Sequence, residues 1–265
     1  MKTMRFRYHL KIEFDSPVTR HSFTVKCTPQ TDERQSITQL AIHILPKEFL
    51  CEGRDSFGNS YFFGRAEEPH TLFEVEVEGA AQTGFAEAVA AGPAYQNGMF
   101  AGQTAYTEPG EDLRRFFGSI RLPEGEDSLG RSLLIMKALR EEFSYASGKT
   151  SIATTAQQAW KLGCGVCQDY SHIMLALCRL SGIQSRYVVG MLKGEGLSHA
   201  WVEVANQGLW YGLDPTKGVR VLEDHIKISH GRDYADCLIN QGVFTGNANQ
   251  RQSISVIVKE AGENI

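Results

Sequence analysis

The alternation of apolar and polar side chains is the first pattern in this chain. Every second residue from Met4 to Ile12 is apolar, and the residues between them are mostly charged or polar. A period of two is typical of a β-strand with one buried face. Further strands are predicted at Ser22–Cys27, Gln35–Ile44 and Thr71–Val77. The pattern predicts an antiparallel β-sandwich over residues 1–83, which we interpret as a packing and substrate-shaping domain.

Helical spacing replaces this alternation in the middle of the chain. Residues 84–126 are rich in Ala and Gly, contain Pro93 and Pro109, and are predicted to connect two domains. Short helices are predicted in this segment at Phe85–Ala91 and at Glu111–Ile120, the second with Pro109 at its start. Longer helices are predicted at Asp127–Phe143, at Thr155–Leu162 and within Gly163–Gly182.

The period returns to two after Gly182, a glycine at the position of a helix C-terminal cap. Strands are predicted at Gln184–Leu192, Leu197–Ala205, Leu209–Leu213 and Ser253–Lys259, with loops at Gly231–Ala235 and Gly242–Gly246. Helices followed by antiparallel strands predict an α+β domain over residues 127–265. Its central helix, within Gly163–Gly182, carries few charges and is expected to be buried against the sheet.

Composition narrows the function classes. The chain has 265 residues, a formal net charge of -4 and a pI near 6.1, and its basic residues are scattered, so no nucleic-acid partner is predicted. It has no run of 18 apolar residues, so no membrane span is predicted. The first residues lack an apolar signal core, and the six cysteines are therefore interpreted as reduced thiols in the cytoplasm.

Three residues form a candidate catalytic set. Cys167 lies in the first turn of the predicted central helix, where unpaired amides and the helix dipole stabilise a thiolate. A thiol nucleophile needs a base and a group that orients the base. His199 and Asp214, on two predicted strands, supply these residue types.

Four segments resemble the transglutaminase-like cysteine protease superfamily, specifically its bacterial branch. They are GVCQDYSHIMLALCR, SHAWVEV, WYGLDPTKG and GRDYAD, and they span roughly Phe143 to Phe244. The resemblance implies a papain/transglutaminase-like catalytic domain with Cys167 as nucleophile, His199 as base and Asp214 as the orienting group. It also implies that residues 1–83 are the β-rich domain that precedes the catalytic domain in this branch.

The resemblance favours a cysteine peptidase or amidase that acts on a peptide or protein substrate without a cofactor or metal. Transamidation of protein glutamine uses the same thioester chemistry and stays open. A non-catalytic peptide-binding module is a further alternative, which the intact Cys167, His199 and Asp214 disfavour. Cys164 and Cys167 also form a C-x-x-C pair that could bind zinc or act in redox chemistry, but no second pair accompanies it.

Neighbouring residues are given less specific roles. His172 is interpreted as structural, and Asp169 as a residue that stabilises the helix start. Trp201 and Tyr211 are candidates for lining an acyl groove, with ordinary core packing as the alternative.

The hairpin between the two strands gives a geometric prediction. If the turn is centred within 205–208, opposed residues have numbers that sum to 413, and His199 lies directly across from Asp214. Trp201 would then face Gly212. Cys167 is expected to approach from the helix start against the same face of the sheet.

Overall fold

The computed structural model describes residues 1–92 and 98–263. Part of the predicted connecting segment, including Pro93, therefore lies outside the described residues. In chain order the strands are β1 (Lys2–Val25), β2 (Gln35–Leu45), β3 (Phe49–Arg54), β4 (Ser60–Ala66), β5 (His70–Thr83), β6 (Ala88–Ala90), β7 (Ser144–Tyr145), β8 (Cys164–Gly165), β9 (Ser185–Leu192), β10 (Gly194–Gly196), β11 (His199–Asn206), β12 (Leu209–Asp214), β13 (Val219–Arg220), β14 (His225–Gly231), β15 (Asn240–Thr245) and β16 (Gln250–Glu260). The α-helices are α1 (Glu111–Ser119), α2 (Ser128–Glu142), α3 (Ala156–Leu162) and α4 (Cys167–Leu180).

The N-terminal part is built on the long strand β1. Its first half pairs with β5 and β16, and its second half pairs with β4 and β15, with a register irregularity between them. The strands therefore form two antiparallel layers that share β1, in the orders β10-β16-β1-β5-β2 and β15-β1-β4-β3. The alternate residues from Met4 to Ile12 are buried, as the period of two predicts.

A second sheet carries the candidate site, with β12, β11, β9 and β14 as successive antiparallel neighbours. Its two faces meet different partners. Glu203 of β11 forms an ion pair with Arg34 of the N-terminal part, whereas Asn206 donates to the Asp127 carboxylate at the start of α2. Because strand side chains alternate, the odd-numbered residues of β11 face the N-terminal part and the even-numbered ones face the helices.

Helix α4 is the buried centre of this part of the molecule. It contacts β11 and β9, and residues 169–179 are all buried. The helix ends in a Schellman motif, in which the Gly182 amide donates to Arg179 and the Ile183 amide to Cys178. Gly182 has a φ of 74°, which a glycine adopts without strain. The predicted central helix packed on an antiparallel sheet is thus present.

The last strands lie elsewhere than the sequence suggests. β15 and β16, which the sequence groups with residues 127–265, pair with β1 of the N-terminal part. The C-terminus therefore completes the first sheet system, and the short strand β10 joins it through β16. Such pairing between chain ends is invisible to local periodicity.

Several local predictions were wrong. The predicted helix at Phe85–Ala91 is instead the strand β6, whose pairing with β12 buries Val89. Gly110, not Pro109, is the N-cap of α1. The predicted loop at Gly242–Gly246 belongs largely to β15, which pairs at the edge of β1 and keeps mostly exposed side chains, so it shows no apolar period. Within residues 1–92 and 98–263, no helix has the length and apolarity that a membrane span requires.

Candidate active site

The start of α4 places Cys167 at the first helical residue. Asp169 accepts hydrogen bonds from the Val166 amide at 2.8 Å and from the Thr150 hydroxyl at 2.7 Å. These contacts stabilise the helix start, which is the role predicted for Asp169. The Cys167 side chain is half-buried, so its thiol can meet both the protein behind it and a substrate in front of it.

His199 and Asp214 are hydrogen-bonded, with Nε2 of the imidazole 2.8 Å from Oδ2 of the carboxylate. The register that led us to expect this contact was wrong, however. Asn206 pairs with Leu209, and Glu203 with Gly212, so opposed residues sum to 415 instead of 413. The turn consists of Gln207 and Gly208, one residue later than the centre that the prediction assumes.

A shift of two in this sum preserves the face of each side chain, because side chains alternate with period two. His199 and Asp214 therefore share a face and meet diagonally. The prediction placed the Trp201 indole in the space left by the missing side chain of Gly212. In the structure, that space lies at Gly190, which pairs with His199. A Cβ at Gly190 would overlap the indole of Trp201.

The helix packs on the sheet face opposite to the one predicted. The odd-numbered residues of β11, His199 among them, lie on the face turned to the N-terminal part. Cys167 nevertheless lies close enough to the His199 imidazole to raise its pKa, because Cys167 lies at the tip of α4 and His199 at the first residue of β11. Because Nε2 of His199 is bonded to Asp214, Nδ1 is the ring nitrogen that remains for the thiol.

The electrostatics of the pair favour an imidazolium and a carboxylate. Burial lowers the pKa of His199, but hydrogen bonds with Asp214 and Cys167 outweigh burial and raise the pKa to about 9. Burial raises the pKa of Asp214, but hydrogen bonds from His199 and His225 hold it well below its ordinary value. The site can thus stabilise a positive imidazole beside a thiolate.

Sequence reasoning missed His225. It lies at the start of β14, and its Nε2 is 3.1 Å from the same Asp214 oxygen that bonds His199. No motif marks it, and only a prediction of β14 as the neighbour of β9 could have placed it near the site.

His199, Asp214 and His225 also hold one donor atom each within 4.8 Å of one another, a grouping that could bind a metal ion. Nε2 of His199 and Nε2 of His225 both lie at hydrogen-bond distance from Oδ2 of Asp214. Two N–H donors that share one acceptor explain this arrangement. We therefore interpret the three residues as a hydrogen-bond network.

Sequence reasoning also missed Tyr145. It lies in β7, which pairs in parallel with β8 immediately before Cys167. Its side chain is 60% exposed, and burial together with the nearby Cys167 raises its pKa. This exposed ring therefore lies near the Cys167 thiol.

The two predicted groove residues do not reach the site surface. Trp201 is 1% exposed and packs with Val188 and Val221, so it supports the site from within. Tyr211 lies opposite Val204 on the helix-facing side of the sheet, away from Asp214. Trp201 thus has the core packing that the sequence leaves as the alternative to groove lining.

All six cysteines are free thiols. Burial raises the pKa of Cys27 and of Cys178 to about 12, and it raises that of Cys237 further. These three are inert core residues. Cys164, in β8, is half-buried.

Comparison with known proteins agrees with the fold. Residues 121–215 match the transglutaminase-like superfamily, and residues 4–82 match the bacterial transglutaminase-like N-terminal region. An uncharacterised protein of Mycobacterium leprae is 25% identical, across 93% of this chain and 94% of its own length. One of Mycobacterium tuberculosis is 27% identical, across 87% of this chain and 84% of its own length.

A crystal structure of a candidate cysteine protease from Cytophaga hutchinsonii has the same fold. It superposes with a TM-score of 0.80 at 22% identity, and the match covers 100% of this chain and 93% of that one. This protein therefore has a mixed α and β, transglutaminase-like fold. The chain belongs to the transglutaminase-like superfamily and carries the N-terminal region of its bacterial members.

Proposed function

We propose that this protein transfers acyl groups through a thioester on Cys167 and that it hydrolyses peptide or amide bonds. The observation that carries the proposal is the hydrogen bond between His199 and the fully buried Asp214, with the half-buried Cys167 beside the same imidazole. A nucleophile, a base and an orienting group in contact are the components of a cysteine hydrolase.

The first half of the reaction forms the thioester. The Cys167 thiolate attacks the carbonyl carbon of the substrate, and the carbonyl electrons move to its oxygen. The amide of Cys167, at the first position of α4, has no acceptor within the helix and can donate to this oxyanion. The C–N bond then breaks, and His199 gives its proton to the leaving amine.

The second half releases the acid. His199, now neutral, takes a proton from water, and the hydroxide oxygen attacks the thioester carbonyl. The C–S bond breaks, the thiolate returns, and the imidazolium is restored beside Asp214. Throughout, the buried Asp214 carboxylate holds Nε2 of His199 and stabilises its positive charge.

Two substrates test the proposal. The first is p-nitrophenyl acetate, with nitrophenol release followed by absorbance and the acetyl group on Cys167 identified by mass spectrometry. Cys167→Ala should abolish both signals, and Cys51→Ala, at an exposed thiol in β3, is the matched control. Retention of the wild-type rate in Cys167→Ala would exclude the nucleophile.

The second substrate is a glutamine-containing peptide library with and without a fluorescent primary amine. Hydrolysis predicts new peptide termini or deamidated glutamine that form without the amine. Attachment of the amine in place of hydrolysis would identify a transamidase, which uses the same thioester.

We also infer a reducing compartment, the cytoplasm. The support is that all six cysteines are free, including Cys167, which must stay reduced to act. Fractionation of the source cells with detection of the native protein tests this inference, and recovery outside the cytoplasm would contradict it.

A further inference from the structure

The Asp214 carboxylate is held by four donors. Oδ1 accepts from the backbone amides of Thr216 and Lys217, each at 3.0 Å. Oδ2 accepts from Nε2 of His199 at 2.8 Å and from Nε2 of His225 at 3.1 Å. A buried carboxylate is tolerated only when such donors replace its water shell.

His225 is itself buried, and in this network its Nε2 can act only as a hydrogen-bond donor. Because an ionised carboxylate only accepts, Nε2 of His225 must carry a proton. Its other nitrogen, Nδ1, is buried and has no hydrogen-bond partner in the described part of the chain. The ring packs edge-on against Trp201, with 5.3 Å between centroids.

The two backbone amides fix Oδ1 of Asp214, but the carboxylate can still rotate about Oδ1 and so move Oδ2. His199 alone would then have to fix this oxygen while its other ring nitrogen gives up and takes back a proton during the reaction. A second donor on Oδ2 from a different strand, β14, removes this freedom.

We propose that His225 is a positioning residue of the active site, whose Nε2–H fixes Oδ2 of Asp214 in line with His199. The inference rests on the proposed function, since it assigns His225 to the same acyl-transfer site. His225 acts through Asp214 and does not contact the reacting atoms.

The kinetic test compares His225→Phe, which keeps a ring but removes the donor, with His225→Gln, whose amide nitrogen takes the place of Nε2. With p-nitrophenyl acetate, His225→Phe should lower kcat about ten- to hundredfold, the effect of one lost hydrogen bond to a charged group. KM should change less than about twofold, because substrate does not touch His225. His225→Gln should recover most of kcat.

His230→Gln, on the same strand but outside the network, is the matched control and should keep the wild-type kcat. Wild-type kcat in His225→Phe would overturn the proposal. So would a His225→Gln variant that is as slow as His225→Phe, since the donor would then be irrelevant.

A measurement on the unmodified protein keeps the proposal testable if His225→Phe does not fold. Nitrogen NMR of the imidazoles should find a proton on Nε2 of His225 and two low-field N–H signals from the two histidines bonded to Asp214. A bare Nε2 on His225, or a metal ion bound stoichiometrically by the three residues, would overturn the proposal. This readout needs no turnover, so an inactive wild-type protein would refute the proposed function without deciding the role of His225.

Discussion

Reactivity at the scale of single residues depends on which partner each thiol has. Cys51 is exposed, whereas Cys167 is less exposed and lies beside the His199 imidazole. Cys167 should therefore be the more reactive of the two thiols, although Cys51 is the more exposed.

Iodoacetamide at pH 6 should alkylate Cys167 on the order of tenfold or more faster than Cys51, because an ordinary exposed thiol is mostly protonated there. Peptide mapping by mass spectrometry after short exposures measures both rates. His199→Ala should remove the advantage of Cys167 while the rate at Cys51 stays unchanged. Equal rates in the wild-type protein would contradict the thiolate–imidazolium pair.

The pH dependence of both stability and activity is predicted from the pKa of His199. Its pKa of about 9 in the folded protein lies above the ordinary value of about 6.5. The stability that this group contributes is therefore fully present below pH 6.5 and is lost as the pH rises through about 9. The imidazolium that protonates the leaving amine is lost over the same range.

We expect kcat/KM to fall above about pH 9 and NMR titration of the His199 ring to show the same midpoint. Asp214→Asn should move both midpoints to lower pH, since burial then lowers the pKa with no carboxylate to oppose it. A wild-type midpoint near 6.5 would contradict this account.

Sequence reasoning found the residues whose roles depend on type and chain order, namely Cys167, His199 and Asp214, and the structure brings them together. It missed His225 because strand β14 has no motif and its place beside β9 depends on tertiary pairing. It left groove lining and core packing open for Trp201 and Tyr211, because amphipathic rings give no sign of their face until the register is known.

The hairpin β11–β12 shows the same limit at the scale of elements. Gln207 and Gly208 have φ values of 50° and 78°, which place both in the left-handed region that a two-residue hairpin turn requires. A glutamine rarely adopts this conformation, so residue types alone are a weak guide to the centre of the turn. The contact between His199 and Asp214 survived the error because only the parity of the register decides the face.

Close packing between β9 and β11 gives a prediction at this scale. Gly190→Ala adds a methyl group that would overlap the Trp201 indole and the backbone oxygen of Ile226. We expect a loss of about 1–3 kcal/mol in the free energy of unfolding, measured in urea, because the backbone oxygen cannot move aside. Activity should fall as well, since Trp201 packs on His225.

Gly196→Ala is the matched control. A Cβ there meets nothing within 4 Å, and the residue lies in an exposed short strand, β10. Its stability should change by less than about 0.5 kcal/mol. Equal effects of the two substitutions would show that the indole does not depend on the missing side chain of Gly190.

At the scale of the whole molecule, the two sheet systems are tied together by buried polar contacts. Gln35 donates to the Lys227 carbonyl oxygen and accepts from the Lys227 amide, both at 2.8 Å, and so fixes β14 from the N-terminal part. The α+β class and most strands could be predicted from periodicity. These contacts, like the pairing of β16 with β1, join residues far apart in the chain and could not.

Glu203 is the centre of this interface. Its fully buried carboxylate meets three cations: Arg34, Arg186 with Nε at 2.6 Å, and Lys227 with Nζ at 2.8 Å. Two of these belong to the second sheet and one to the N-terminal part. Removal of the carboxylate charge would leave all three side chains in a buried site without the one carboxylate that contacts each of them.

Glu203→Gln should therefore lower the free energy of unfolding by about 3–5 kcal/mol, since an uncompensated buried charge is far more unfavourable than a lost surface pair. Glu195→Gln is the control, because Glu195 is 67% exposed and its pair with Lys259 spans 3.3 Å, and it should cost less than about 1 kcal/mol. Urea unfolding followed by circular dichroism and by alkylation of Cys178, a fully buried thiol of α4, should give coincident transitions in both variants, because one interface holds both sheet systems. A destabilisation below 1 kcal/mol in Glu203→Gln, or loss of Cys178 protection ahead of the circular dichroism change, would mean that the N-terminal part does not support the site through this cluster.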